Sequence, residues 1–426
     1  MPESSISNFD KNQCCPSNNE TDVAIIGGGM YVQEVLLPSI YQLKRKNQVN
    51  NISICTQRRS SIEKILRNDE LNYAFPDQSF DSYPSLPEEE KVDPLRYKEV
   101  INSMEKDNTV AISLPDHLHY EAVMTALNAG QNILCVKPLT LSYNQSKEIK
   151  ELADSKGLFV GVEYHKRHDN RALIAKKAYE KGVLGEFVMG EAKMIEPRRY
   201  RESNFQNWFT KENADPFTYV GCHYIDLVSF ITKLKIKEVS VKGWSGTFPN
   251  GNEGYMWTNG RIVYENGGIL SIINGLGYPD NGAGSNEQSL MMFFEGKKEN
   301  TLIKHDDQFR GCSHLYSSTD SNSRFRYINP DFFQLVPWDG EGYKPSGYGY
   351  ESVASIMSAI NKVRRATCIE TRKQIISAIG KAGIIATPEN TLFTDLALEA
   401  GRFSLCNEGI PVEIEYTDPP YFYVKK

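Results

Sequence analysis

From Asp22 onward, apolar residues come in short runs that stop at turn residues and alternate with longer amphipathic stretches. Val23-Ala24-Ile25-Ile26 runs into three glycines and is followed by a helical pattern over about 32–46. Asn51–Cys55, Thr109–Ser113 and Asn132–Val136 repeat the short apolar run, with helical segments between them. Runs this short and this apolar fit strands buried on both faces, and strands separated by helices connect in parallel. The pattern therefore predicts an α/β domain with a doubly wound parallel sheet, which a further strand at Leu158–Glu163 closes. Asp69–Pro94, rich in Pro, Ser, Asp and Glu, reads as a surface insertion.

The pattern then changes. After a helix over Asn170–Lys181, strand-like segments follow one another near 186–195, 238–244, 268–274 and 290–294 with few helices between them. Such a succession predicts an α+β domain built on an open, mainly antiparallel sheet. Helices return at 350–364 and 390–403. The expected division is a disordered tail at 1–20, a first domain at 21–155 and a second at 156–426, with a C-terminal helix packing back on the first.

Composition narrows the function classes. A chain of 426 residues with 40% hydrophobic and 24% charged residues is globular and long enough for two cores. Its net charge of -6 argues against a nucleic-acid partner, which would call for a basic face. The eight cysteines are scattered, and the adjacent pair Cys14-Cys15 lacks metal-ligand spacing, so reduced thiols in a cytoplasmic protein are expected. No apolar run is long enough for a membrane span, and residues 1–20 lack the pattern of a secretory signal.

Candidate chemistry begins where the first strand meets its helix. Gly27-Gly28-Gly29, followed by Met30 and Tyr31, places backbone N–H groups and a positive helix end where a pyrophosphate can be received. This is the dinucleotide turn of a Rossmann domain, with Val32 where a third small residue belongs. An ordinary tight turn would look the same, and the surrounding β-turn-α order is what favours a nucleotide. After the second strand the sequence is Cys55-Thr56-Gln57-Arg58-Arg59, without the carboxylate that would bind the ribose hydroxyls of NAD. NAD or NADP is thus expected, with the arginines favouring NADP.

Several segments, in order, resemble the glucose-fructose oxidoreductase, inositol dehydrogenase and rhizopine-catabolism (Gfo/Idh/MocA) oxidoreductases. Ser113-Leu114-Pro115-Asp116-His117-Leu118-His119 is similar to the family's strand-end segment beside the nicotinamide. Val136-Lys137-Pro138 resembles its Glu-Lys-Pro signature, with Val136 replacing the glutamate. Gly221-Cys222-His223-Tyr224-Ile225-Asp226 resembles its Gly-x-His-x-x-Asp motif, and Glu389–Arg402 its C-terminal helix. The resemblance implies cofactor contacts at Gly27, Gly29, Met30, Tyr31, Thr56, Arg58, Leu114, Pro115, His119 and Lys137.

It also implies a role for Lys137, whose ammonium at a strand end would stabilise a substrate oxygen as hydride leaves the carbon. His223 and Asp226, three apart on one helix face with Tyr219, are expected to move the proton. Tyr164, His165, Arg167, Tyr219 and His223 are expected to contact substrate. Arg198–Arg201 with Asn204, Gln206, Asn207 and Trp208 has the donors and rings of a sugar site. His305–Arg310 with His314 has metal-ligand residue types, yet a strand would point alternate side chains to opposite faces, so no metal is expected.

The implied activity is oxidation of a secondary alcohol of a sugar, cyclitol or glycoside, or reduction of the ketone, with NAD or NADP. Two rivals carry the same motifs: a glycoside-cleaving enzyme that oxidises transiently with recycled NAD, and a non-catalytic dinucleotide sensor. The resemblance further implies a homo-oligomer, dimer or tetramer, paired through the open sheet, and a small-molecule partner only.

Overall fold

The computed structural model describes residues 20–85, 91–282, 286–297, 299–306, 314–319, 322–327 and 332–425. The tail at 1–19 and the expected ligand types at 307–310 lie outside these residues. Six strands form the first sheet: β1 (Thr21–Ile26), β2 (Val49–Cys55), β3 (Asp81–Tyr83), β4 (Thr109–Ile112), β5 (Asn132–Val136) and β6 (Val160–Glu163). Their order is β3-β2-β1-β4-β5-β6, and all neighbours are parallel. The apolar runs form these strands because both faces are covered. Ile25, Ile54, Ala111 and Leu134 point to one side, while Ala24, Ile26, Ile112 and Cys135 point to the other.

Two features differ from the sequence expectation. The stretch read as a surface insertion supplies β3, whose Asp81 and Tyr83 pair with Ser53 and Cys55. Three residues with no apolar alternation gave no sign of this. β6 pairs along β5 from Ile133↔Val160 to Val136↔Glu163, so a division at 155/156 cuts through the first sheet's own structure. Part of the covering on the Ile25 side comes from far away in sequence: Val353, Ile356, Met357 and Ile360 of the helix Tyr348–Arg364 lie in that core together with Val32, Ile40 and Ile62.

The second sheet holds β7 (Glu186–Pro197), β8 (Ile236–Thr247), β9 (Glu253–Tyr264), β10 (Ile269–Tyr278), β11 (Glu287–Glu295) and β12 (Asn300–Asp306). Two hairpins, β13 (His314–Thr319) with β14 (Asn322–Tyr327) and β15 (Gln334–Pro337) with β16 (Tyr343–Ser346), stand apart from it. β17 (Val412–Glu415) and β18 (Tyr421–Val424) complete the order β12-β11-β7-β10-β9-β8-β17-β18. Only the β7/β10 pair is parallel.

The helices Asn170–Glu180, Cys222–Thr232 and Pro388–Cys406 pack with this sheet into one apolar core. The other face is open, and Met189, Phe293 and Leu302 stand side by side on it across three strands. The helix Pro388–Cys406 joins the two units. Its Asp395 accepts from Ser146 Oγ at 2.8 Å and its Glu399 from the Tyr143 amide at 2.8 Å, while its Ser404 Oγ accepts from the Val241 amide of β8 at 2.9 Å. Among the described residues, no helix is long and apolar enough to cross a membrane.

Because Ile356 is fully buried against the first sheet, Ile356→Ala is expected to cost about 2–5 kcal/mol. Urea unfolding followed by circular dichroism would show it, and a loss below about 0.5 kcal/mol would mean that this helix does not cover the sheet.

Candidate active site

The carboxyl ends of the parallel strands converge on one edge, and the candidate residues sit there. At the end of β1, Gly27 has φ +117° and its amide donates to Cys55 O at 2.9 Å. A Cβ at this position would stand 2.1 Å from Ser113 O, so the crossing of β1 and β4 admits only glycine. Gly29 faces open space, with nothing within 4 Å of a Cβ there. The turn thus combines a closed side that packs and an open side that a pyrophosphate can approach. Val32 is fully buried in the sheet core, and the helix begins with a wide π turn over Val32–Leu36. The residue that departs from the fingerprint is therefore spent on packing.

At the end of β2, Thr56 is nearly buried beneath the turn and its hydroxyl donates to Arg58 O at 2.7 Å. Arg59 is held by Glu63 at 2.7 Å. Arg58 is exposed, and its guanidinium makes no ion pair among the described residues. The Asp93 amide donates to Gln57 O at 2.9 Å, which brings a carboxylate to this strand end from a distant segment.

At the end of β4, Leu114 and Pro115 are half-buried, as a surface against a ring would be. His119 is not part of that surface. It is fully buried, with Nδ1 2.8 Å from Pro138 O and Nε2 2.9 Å from Leu114 O. Burial holds its imidazole below the usual range. The expected cofactor contact is corrected: His119 clamps the loops after β4 and β5 from behind.

Lys137, half-buried at the end of β5, is joined to Pro138 by a cis peptide bond. Its Nζ donates to the carbonyl oxygen of Tyr219 and lies 4.0 Å from the centre of the Tyr219 ring. Asp116 shares this neighbourhood. It is 2% exposed, its Oδ2 has no hydrogen-bond partner, and burial pushes its carboxyl up to about 7. Asp215 pushes the same way, while Lys137 and Arg402 oppose it.

At the end of β6, Glu163 accepts from His165, with 3.1 Å between Oε2 and Nδ1. The His165 ring lies 4.6 Å from His223, 5.0 Å from Phe332 and 5.7 Å from Tyr348. Tyr164 is buried and meets His223 edge-on at 6.4 Å. Tyr31, following the glycine turn, brings its buried hydroxyl towards Glu163, and burial together with that charge raises its phenol well above 10. Tyr31, Lys137, His165, Tyr219 and His223 are thus gathered around one cleft.

Asp226 and Arg167 are not available there. Arg167 donates from Nε to Asp226 Oδ2 at 2.7 Å and from Nη2 to Oδ1 at 2.5 Å, while its Nη1 donates to Asn390 Oδ1 at 2.7 Å. Asp226 is paired with Arg167 and not with His223 among the described residues, so a buried ion pair stands where the His223–Asp226 proton couple and the Arg167 substrate contact were expected. His223 is left with an unbonded, buried Nδ1. Burial first, then Lys137, His165 and Lys166, hold its imidazole well below the usual range, so it is neutral at pH 7.

Two further groups belong to the cleft, and the sequence did not single out the first of them. Glu196 near the end of β7 is half-buried, and desolvation raises its carboxyl against the pull of Lys137, Lys166 and Arg199. Lys166 is buried and donates to Gln288 Oε1 at 2.9 Å. Position at a strand end is the one signal that could have marked Glu196. In the 198–208 segment Phe205 is buried and packs with Trp208 and Phe209 around Tyr219, while Arg198, Arg199 and Asn207 are exposed. His305 Nε2 lies 3.0 Å from Asp169, and no group of three metal-ligating side chains occurs among the described residues.

Both halves of the chain are similar to known proteins. Residues 21–164 match the family model described as oxidoreductase family, NAD-binding Rossmann fold, and residues 173–285 match the GFO/IDH/MocA C-terminal domain. Together the two matches span more than half of the chain. An uncharacterized oxidoreductase of Schizosaccharomyces pombe is 44% identical over 98 residues, 23% of this chain and 27% of that protein. The scyllo-inositol 2-dehydrogenase (NADP(+)) of Bacillus subtilis is 31% identical over 119 residues, 28% of this chain and 32% of that protein. In both, the aligned part is less than a third of the relative's length. The crystal structure of an enzyme from gentamicin A biosynthesis, in complex with NAD, superimposes with a TM-score of 0.65 at 15% identity, covering 96% of this chain and all of that one.

The raised Asp116 carboxyl has a measurable consequence. The unfolded chain ionises in the ordinary carboxylate range, whereas folded Asp116 ionises near 7, so its contribution is present at low pH and is lost as pH rises through 7. Asp116→Asn removes that loss and is expected to gain up to about 4 kcal/mol over wild type at about pH 8.5, and nothing below about pH 4. Calorimetry at the two pH values checks this, and equal effects at both would be inconsistent with a carboxyl titrating near neutrality.

Proposed function

This chain belongs to the Gfo/Idh/MocA oxidoreductases, and on that premise we propose that it oxidises a secondary alcohol of a sugar, cyclitol or glycoside, or reduces the ketone, with a nicotinamide dinucleotide. The observation that carries the proposal is Lys137, held half-buried at the end of β5 by the Tyr219 carbonyl in a cleft shared with the glycine turn. The dinucleotide fits this edge: Gly27 tolerates no side chain, and the open side of Gly29 leaves room for phosphate at a helix N-terminus. When bound, it supplies the redox chemistry by taking a hydride from the carbon or returning one.

The protein's own groups would do the rest. The Lys137 ammonium, preorganised by one carbonyl, donates to the substrate oxygen and stabilises charge that develops there. Leu114 and Pro115 present apolar surface, and His223, neutral at pH 7, offers a hydrogen bond to a hydroxyl. Tyr219 and Tyr164 enclose the same space. The exposed Arg58 after β2 favours the 2′-phosphate of NADP over the ribose hydroxyls of NAD.

Lys137→Ala is expected to lower kcat by about a hundredfold or more on a polyol substrate while dinucleotide affinity changes little. Turnover that survives the substitution would overturn the role of Lys137. Arg58→Ala is expected to weaken NADP binding about tenfold or more, equivalent to about 1.4 kcal/mol, and to leave NAD binding unchanged. Equal losses for the two dinucleotides would remove the preference for NADP.

A further inference from the structure

Oxidation of an alcohol releases a proton, and the acceptor needs a bare lone pair in the cleft and a second group that fixes its tautomer. The His223–Asp226 couple fails this requirement because Asp226 is paired bidentately with Arg167 and His223 Nδ1 has no hydrogen-bond partner among the described residues. His223 has nothing bonded to its buried Nδ1, and the cations beside it oppose a positive charge. A different pair meets the requirement. Glu163 and His165 are joined at 3.1 Å, with side chains only 1% and 9% exposed. Among the described residues no group other than Glu163 is hydrogen-bonded to His165, which leaves its Nε2 as an acceptor.

We propose that His165 is the proton acceptor of the reaction and that Glu163 is the residue that positions it, a role that rests on the oxidoreductase reading above. Three observations place the pair at the reacting centre. Glu163 is the register partner of Val136, directly before Lys137, so the dyad and the ammonium are carried on adjacent strand ends. The His165 ring is fixed from three sides, by His223, Phe332 and Tyr348. Glu163 also faces Tyr31 from the helix after the glycine turn, which ties the carboxylate to the dinucleotide edge.

In the step, the alcohol O–H bond breaks and its proton passes to His165 Nε2. The C–H bond breaks with its electron pair going to the oxidised nicotinamide, and the C=O bond forms. The Glu163 carboxylate stabilises the resulting imidazolium through Nδ1–H until the proton leaves to solvent. His223 donates to the same oxygen or to a neighbouring hydroxyl. The titratable and charged groups around His165 are Glu163, Lys166 and His168 on its own segment, His223 on the helix Cys222–Thr232 and Tyr348 on the helix Tyr348–Arg364.

The test uses the full chain with scyllo-inositol, myo-inositol and methyl glucoside as probes and NAD or NADP as oxidant. His165→Ala is expected to lower kcat about a hundredfold with dinucleotide binding retained, and added imidazole to restore about tenfold. Glu163→Gln, nearly isosteric, is expected to move the acid limb of the kcat profile to lower pH by about one unit. Absence of imidazole rescue together with a Glu163→Gln profile that overlays wild type would overturn the dyad. A wild-type protein that oxidises none of the probes counts against the oxidoreductase reading instead, and the dyad is then judged without substrate. Nitrogen-15 spectra of the histidines should show His165 protonated at Nδ1 in wild type but not in Glu163→Gln. Protonation at Nε2 in wild type would refute the pairing.

Discussion

Arg167 closes two hydrogen bonds onto Asp226 and a third onto Asn390, where water is almost excluded from the first two residues. An ion pair this dry contributes little net attraction over an apolar contact, but removing one partner leaves an unpaired buried charge that costs several kcal/mol. Its effect is therefore on geometry. The pair pins the segment after β6 to the helix that carries His223, and through Asn390 it reaches the helix Pro388–Cys406 that bridges both sheets. Asn390 in turn donates to the carbonyls of Gly380 and Ile385. The contact between the rings of His165 and His223 exists because these backbones are held at that separation.

The cleft above the pair is organised around one cation. Lys137 acts on Asp116, Glu196, His119, Cys222 and His223, lowering the carboxyls and disfavouring charge on the imidazoles. Desolvation works against the carboxyls, and for Asp116 it wins, which is why a buried Asp titrates near 7 beside an ammonium. Carboxyls raised by burial and neutral imidazoles around a fixed positive charge suit a reaction in which negative charge appears briefly on oxygen.

How much of this was legible in the chain follows the range of the interactions. The glycine turn, the apolar strands and Lys137-Pro138 are local patterns, and the structure puts them on one edge as read. The gathering of His223 and Tyr219 near Lys137 followed from helix periodicity and motif order. What failed involved partners distant in sequence. Nothing within a few residues of Asp226 announces that Arg167 takes both its oxygens. His119 has a polar side chain, yet its two carbonyl partners are set by how two loops pack. β3 is three residues of unremarkable polarity, and its place beside β2 comes from a tertiary contact.

The helix Tyr348–Arg364 adds a consequence in time. The first sheet is encoded before residue 164, yet Ile25, Ile54, Leu134 and Phe159 are covered on one side by Val353, Ile356 and Met357. During synthesis, the helices that carry Ile40 and Ile62 can cover part of that face, and the part under Val353, Ile356 and Met357 is exposed until those residues have left the ribosome. The two halves therefore cannot mature as beads on a string, and the nascent protein carries a long-lived sticky surface that invites chaperone capture until its last quarter arrives.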